Sequence, residues 1–273
     1  MTSWLDRGIR LYLVETHDLA VDSRFLKQLV PVPNGARIGQ VTFQLTGALT
    51  TLRYGGESEI SEGYFGIEPS MEWAERWHGR HFRALVLEWS ASWGTVPDRF
   101  SLAKMDAPIA SAVHAAATAI VQRDRRRVVD SLAVLYSRLR AYGLVLEPWS
   151  TTRLTQPNPT HVEVAGVINA LRTNLGDQAG WKGAAATGRS ERQLRRDMIE
   201  LYRSLDIVPP SLRAALVRER LLAAVSLLSA DEPSIERAAR SVGYGSSRAL
   251  TLALAAAGLP SASAIVDSAR QSR

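Results

Sequence analysis

Arg192, Arg195 and Arg196 lie three and four residues apart, a spacing that gathers side chains on one face of a helix. A guanidinium group is permanently charged and presents five donors in a planar fork. It can pair bidentately with guanine O6 and N7, or with phosphate oxygens. On the same helix Leu194 and Met198 turn to the opposite, apolar side. Arg189 and Gln193 flank the basic face and are expected to set register on a nucleic-acid backbone. Ser247, Arg248 and Thr251 form a second exposed face further along, with Arg248 its single charge. Ser190 and Ser246 precede the two helices as N-caps, and the amides behind such caps can face phosphates.

The elements that must hold these faces share one pattern. Ala184 precedes Gly188 by four residues, as Ala239 precedes Gly243. A serine follows each glycine, at Ser190 and Ser246, and a leucine follows each serine by four, at Leu194 and Leu250. A small alanine lets two helices approach, and glycine supplies the freedom for a sharp turn. The serine then caps the next helix, and the leucine one turn later packs back into the pair. The pattern predicts two helix-turn-helix units, 56 residues apart from Ser190 to Ser246, each offering its second helix to a DNA major groove.

Residues 161–270 resemble the DNA-binding domain of AraC/XylS-type bacterial transcription regulators. Ser190–Met198 resembles that family's first recognition helix. Arg218–Leu228 resembles the helix that links the two units, and Ser234–Ser246 resembles the start of the second unit. Leu252 and Leu254 stand where the family usually has arginine and phenylalanine, so the second unit is expected to pack normally but to read bases weakly. The resemblance implies binding to double-stranded DNA, two recognition helices in successive major grooves, and a cupin-like regulatory front that dimerises. A small-molecule effector is implied too, and RNA polymerase is the implied partner of an activator.

Charge follows the same division. Residues 1–105 carry 11 basic and 12 acidic side chains, residues 106–160 carry 7 and 4, and residues 161–273 carry 15 and 11. A neutral front and a basic rear suit a regulatory unit joined to one that binds a polyanion. Only three of the 33 basic residues are lysine.

The front reads as β structure. Arg10–Val14, Ala36–Leu45, Ala48–Tyr54, Tyr64–Ile67 and Phe82–Trp89 alternate with turn signals, as in a small barrel or double-sheet jelly roll. Helical periodicity begins at Ala107. Val113, Ala117, Ile120 and Val121 form one stripe and Val128, Leu132, Leu135 and Leu139 another, separated by the run Arg123-Asp124-Arg125-Arg126-Arg127. A helical hairpin over about 107–146 is expected. Its second stripe can face the barrel or a second subunit, and the family layout assigns it to dimerisation. Glu147–Pro159 is rich in Pro, Thr and Ser.

The expected organisation is therefore α+β: a cupin-like barrel with its hairpin over 1–147, a linker over 148–160, and an all-α tandem helix-turn-helix domain over 161–273. Trp73, Trp77 and Trp89 are candidates to line an apolar effector pocket.

Catalysis is not expected, nor a cofactor or metal. There are no cysteines, which excludes thiolate chemistry and disulfide scaffolds. His78 and His81, spaced by three, fall on opposite faces of a strand. No run of about 18 apolar residues suggests a membrane span, and the charged start, MTSWLDRGIR, is unlike a secretory leader. A cytoplasmic protein is expected. Two other readings compete: a regulator whose weakened second unit leaves protein–protein contact as its main action, and a cupin-type enzyme with a helical appendage.

Overall fold

The computed structural model describes residues 2–6, 9–22, 38–53, 56–69, 74–91, 94–146, 164, 167, 175–176, 190–204, 211–230 and 232–271. The chain divides into two compact units, Met1–Asp18 with Gly35–Pro157 and Leu19–Asn34 with Asn158–Arg273. The fold is α+β.

Seven described strands form one sheet: β1 (Thr2–Asp6), β2 (Ile9–Asp22), β3 (Ile38–Arg53), β4 (Gly56–Ser61), β5 (Tyr64–Pro69), β6 (Ala74–Ser90) and β7 (Ser101–Lys104). Their order is β1-β2-β6-β3-β5-β7, with β4 also paired to β3. The long strand β3 organises the sheet. It pairs antiparallel with β6 on one edge, and on the other with β5 at Gly39–Phe43 and with β4 at Ala48–Arg53.

The segments Ala36–Leu45 and Ala48–Tyr54, expected as two strands, are one. The register against β6 slips between Gln44 and Ala48 instead of breaking. Gly47, at φ +69°, and His81 opposite, at φ +46°, absorb the irregularity. A bulge of this kind bends a strand without ending it, which is why a local turn signal does not become a turn here.

Two helices close one face of the sheet: α1 (Ala107–Gln122) and α2 (Arg125–Leu139), the latter followed by a 3-10 turn at Arg140–Tyr142. Asp106 caps α1 through the amide of Ile109, at 2.7 Å. The basic run makes the turn between them. Arg123 sits in the left-handed region, and Asp124 caps α2 through the amide of Arg127, at 3.1 Å. Ile109, Val113, Ala116 and Ile120 of α1 share one core with Leu11, Leu13, Val41, Phe43, Phe65, Leu85, Leu87 and Trp89 of the sheet.

Val128, Leu132, Leu135 and Leu139 belong to that same core and are at most 2% exposed. The assignment of this stripe to dimerisation is therefore corrected: the barrel-side partner satisfies it. The reason is geometric, because a hairpin laid on a sheet must turn its most apolar stripe inward. The large apolar side chains that α1 and α2 leave exposed are Val121 and Val134; Val121, expected on the first stripe, faces outward because the eight residues from Val113 carry it about 80° round the helix.

Between Asn158 and Arg273 the described elements are helical: α3 (Glu191–Ser204), α4 (Leu212–Leu228), α5 (Ile235–Ser241), α6 (Ser247–Ala256) and α7 (Ala262–Gln271). No helix among the described residues is long and apolar enough to cross a membrane.

Candidate nucleic-acid interface

Helix α3 is strongly two-sided. Leu194, Met198 and Tyr202 are buried at successive turns, whereas Arg192, Arg195 and Arg196 are exposed. None of the three arginines forms an ion pair with a described residue. Three fixed positive charges on one ridge repel one another, and an anionic partner relieves the repulsion.

The start of α3 is set by a reciprocal cap. Ser190 Oγ accepts from the Gln193 amide at 3.3 Å, and Gln193 Oε1 accepts from the Ser190 amide at 3.2 Å. This capping box satisfies two otherwise orphaned donors. It also occupies Gln193, whose side chain turns back along the helix and not toward the arginine ridge. Arg189 lies outside the described residues, as do Ala184, Gly188 and the expected linker.

The second helix-turn-helix shows its turn completely. Ser234 Oγ caps α5 through the Arg237 amide at 3.3 Å. At the other end the Tyr244 amide donates to Ala239 O at 2.8 Å and the Gly243 amide to Arg240 O at 3.1 Å, the paired bonds of a Schellman stop. Gly243 has φ +86°, and a Cβ built there would come within 2.4 Å of Leu175 O. Ser246 Oγ then caps α6 through the Ala249 amide at 3.2 Å. Ala238, Ala239, Leu250 and Leu254 are buried between the helices, whereas Ser247, Arg248 and Thr251 are exposed on the outer face of α6. The spacing of alanine, glycine, serine and leucine thus has the structure expected of it in this copy.

Helix α4 meets both α3 and the α5–α6 turn. It starts at Leu212, six residues before the segment singled out in the sequence. Arg218 Nη2 donates to the Tyr202 hydroxyl at 2.9 Å, which anchors α3. Two residues later Arg220 lies 6.0 Å from the Tyr244 ring centre, beside the α5–α6 turn. Burial raises the Tyr244 hydroxyl above its ordinary pKa, and the Arg220 charge partly opposes this. Sequence reasoning does not find these two arginines. Nothing in their local spacing distinguishes an arginine braced on a tyrosine from one facing solvent.

The front unit rearranges the effector candidates. Trp89 is 1% exposed and packs on Gly39 across β3, where even a Cβ would meet its ring at 2.4 Å. Its indole N–H donates to Thr95 O at 3.1 Å, and the residue belongs to the core shared with the helical hairpin, so it lines no pocket of the sheet's other face. Trp73 lies outside the described residues. Trp77 lies opposite Thr51 in β6, with its side chain outside them.

That other face carries a polar row missed in the sequence. Glu68, Gln40 and Glu88 are cross-strand neighbours on β5, β3 and β6. The Tyr12 hydroxyl donates to Glu88 Oε1 at 2.9 Å, and Gln40 Nε2 donates to Glu68 Oε1 at 3.0 Å. Thr42, Gln44, Glu68 and Glu88 are all buried. Burying polar groups is costly unless they are paired, and these cross-strand bonds supply such pairing for Glu68 and Glu88. No group of three or more His, Asp or Glu side chains that could hold a metal occurs among the described residues.

No protein-family model and no curated protein matches the chain. Among solved structures, an apo form of ToxT from Vibrio cholerae is similar over 96% of this chain and 98% of its own, at 9% identity and a TM-score of 0.35. Unsaturated fatty acid-bound ToxT from the same species is similar over 97% and 95%, at 9% identity and a TM-score of 0.33. The AraC-like transcriptional activator CuxR is similar over 98% of this chain and 76% of its own, at 13% identity and a TM-score of 0.27.

Proposed function

We propose that the chain is a sequence-specific, double-stranded DNA-binding transcription regulator of the AraC/XylS type, without catalytic activity. The observation that carries the reading is the ridge Arg192, Arg195 and Arg196. It is exposed and without described ion-pair partners, on a capped helix whose other face is buried. The turn built around Gly243 supplies a second recognition helix. With α3 and α6 in successive major grooves, their centres fall about 34 Å apart along the duplex. The arginines of α3 read guanine edges or phosphates, and Arg248 contributes a contact from α6.

The front unit is the regulatory part. Its polar row, and not Trp89, is the candidate for recognising a small molecule. A homodimer through the hairpin would use the outer surface that holds Val121 and Val134, and RNA polymerase is the partner if the protein activates. Selection from a random duplex library with the full-length protein tests the class and returns the operator together. Enrichment of a single motif is expected. Failure to retain any duplex at low salt would overturn the regulator reading.

A further inference from the structure

Helix α6 presents an outer face of a different chemistry from that of α3. Leu252 is 62% exposed, more than any other large apolar side chain among the described residues. Thr251 beside it is also exposed, but its hydroxyl donates to Ser247 O at 3.0 Å. With its proton committed to the helix backbone the hydroxyl has no donor left for a base, and the methyl is the group Thr251 offers for apolar contact. Ala255 and Ala256 continue the exposed face, and Arg248 is the single charged side chain of the ten-residue helix.

A basic element with an apolar outer stripe calls for an anionic partner that displays methyl groups. The major groove is such a surface: phosphates line its edges, and the C5-methyl of thymine is its apolar feature. Arg248 and the amides of the first turn of α6 suit the phosphates. We infer that the second helix-turn-helix reads thymine through its methyl group, with Leu252 as the specificity-determining residue and Thr251 as its neighbour in the contact. The inference rests on the regulator reading above. It gives the two halves of the operator different chemistry, guanine-type contacts under α3 and thymine methyls under α6.

The test replaces each thymine of the selected operator in turn with deoxyuridine, which keeps base pairing and removes only the methyl group. Wild-type protein should lose about fourfold in affinity at one or two thymines clustered in one half of the site, the equivalent of one buried methyl each. Leu252→Ala, a helix-compatible change at an exposed position, should bind the thymine and uracil forms of those positions equally. Arg196→Ala should keep the thymine preference.

If no duplex is selected at all, the regulator reading fails and takes this inference with it. If an operator is selected but no uracil replacement weakens binding, the inference alone is overturned. A thymine preference that survives in Leu252→Ala removes Leu252 as the reader. Unchanged DNA binding by that variant, with loss of self-association or of activation, would show that the stripe docks protein instead.

Discussion

A single arginine can serve position or specificity, and its surroundings decide which. Arg192 and Arg196 stand on an exposed ridge with Arg195, and on the proposed reading several guanidinium groups would enter one groove. A bidentate base contact is worth about 1–3 kcal/mol of discrimination, whereas a phosphate contact weakens all sequences alike. Arg192→Ala or Arg196→Ala should therefore relax preference at one or two base pairs under α3. Arg248→Ala should lower affinity nearly uniformly, and binding to a library of single-base operator variants separates the two outcomes. Tyr244 makes a prediction of another kind. Its folded pKa is raised by burial, so the folded state holds the phenolic proton more tightly than the unfolded chain. That contribution is fully present below the ordinary tyrosine pKa of 10.0 and is lost as pH rises from there through the folded value. Tyr244→Phe should flatten the alkaline fall in stability, as read by denaturant titrations on either side of pH 10.

At the scale of elements, position relative to a partner surface overrides composition. The α2 stripe of Val128, Leu132, Leu135 and Leu139 has the periodicity of a subunit contact and is in fact internal. Leu132→Glu would bury a charge without a partner and should cost more than about 3 kcal/mol, seen as loss of the cooperative unfolding transition of the front unit. Val134, 43% exposed on the same helix, gives the contrast. Val134→Glu should leave the fold intact, and sedimentation of that variant as a monomer beside a dimeric wild type would place the subunit contact on the hairpin's outer surface. The α5–α6 turn has as little room as the core. Gly243→Ala adds a methyl that meets Leu175 O at a left-handed φ, and a loss of about 2 kcal/mol or more is expected in thermal or denaturant unfolding, with DNA binding weakened in step.

For the whole molecule the decisive quantity is charge. Residues 161–273 carry 15 basic against 11 acidic side chains, and the arginines of α3 and α6 concentrate part of that excess on exposed helix faces. A protein that neutralises 6–10 phosphates loses roughly 10³–10⁵ in affinity between 50 and 200 mM salt. A steep fall of that order is expected for the full-length chain on any duplex, with the specific operator standing above it by an offset that depends less on salt. A shallow dependence would mean that the arginine ridge is not seated on the phosphate backbone.

What the sequence determined by itself is what depends on near neighbours. The caps Ser190 and Ser246, the stop at Gly243 and the arginine face of α3 are all legible, because a capping box or a Schellman turn is completed within about six residues. The tertiary structure decided whatever depends on a partner distant along the chain. Leu132 faces the sheet and not a second subunit because the hairpin shares its core with β3 and β6. Trp89 packs on Gly39 because a register of β3 on β6 sets them opposite. Gln193 illustrates the limit between the two: its capping partner is three residues away, yet the sequence points it at DNA because helix-face geometry alone leaves its rotamer open. The polar row of Glu68, Gln40 and Glu88 is hidden for a stronger reason. Inward and outward positions alternate along every strand, so polar residues at one parity look like a solvent face until strand pairing shows them buried.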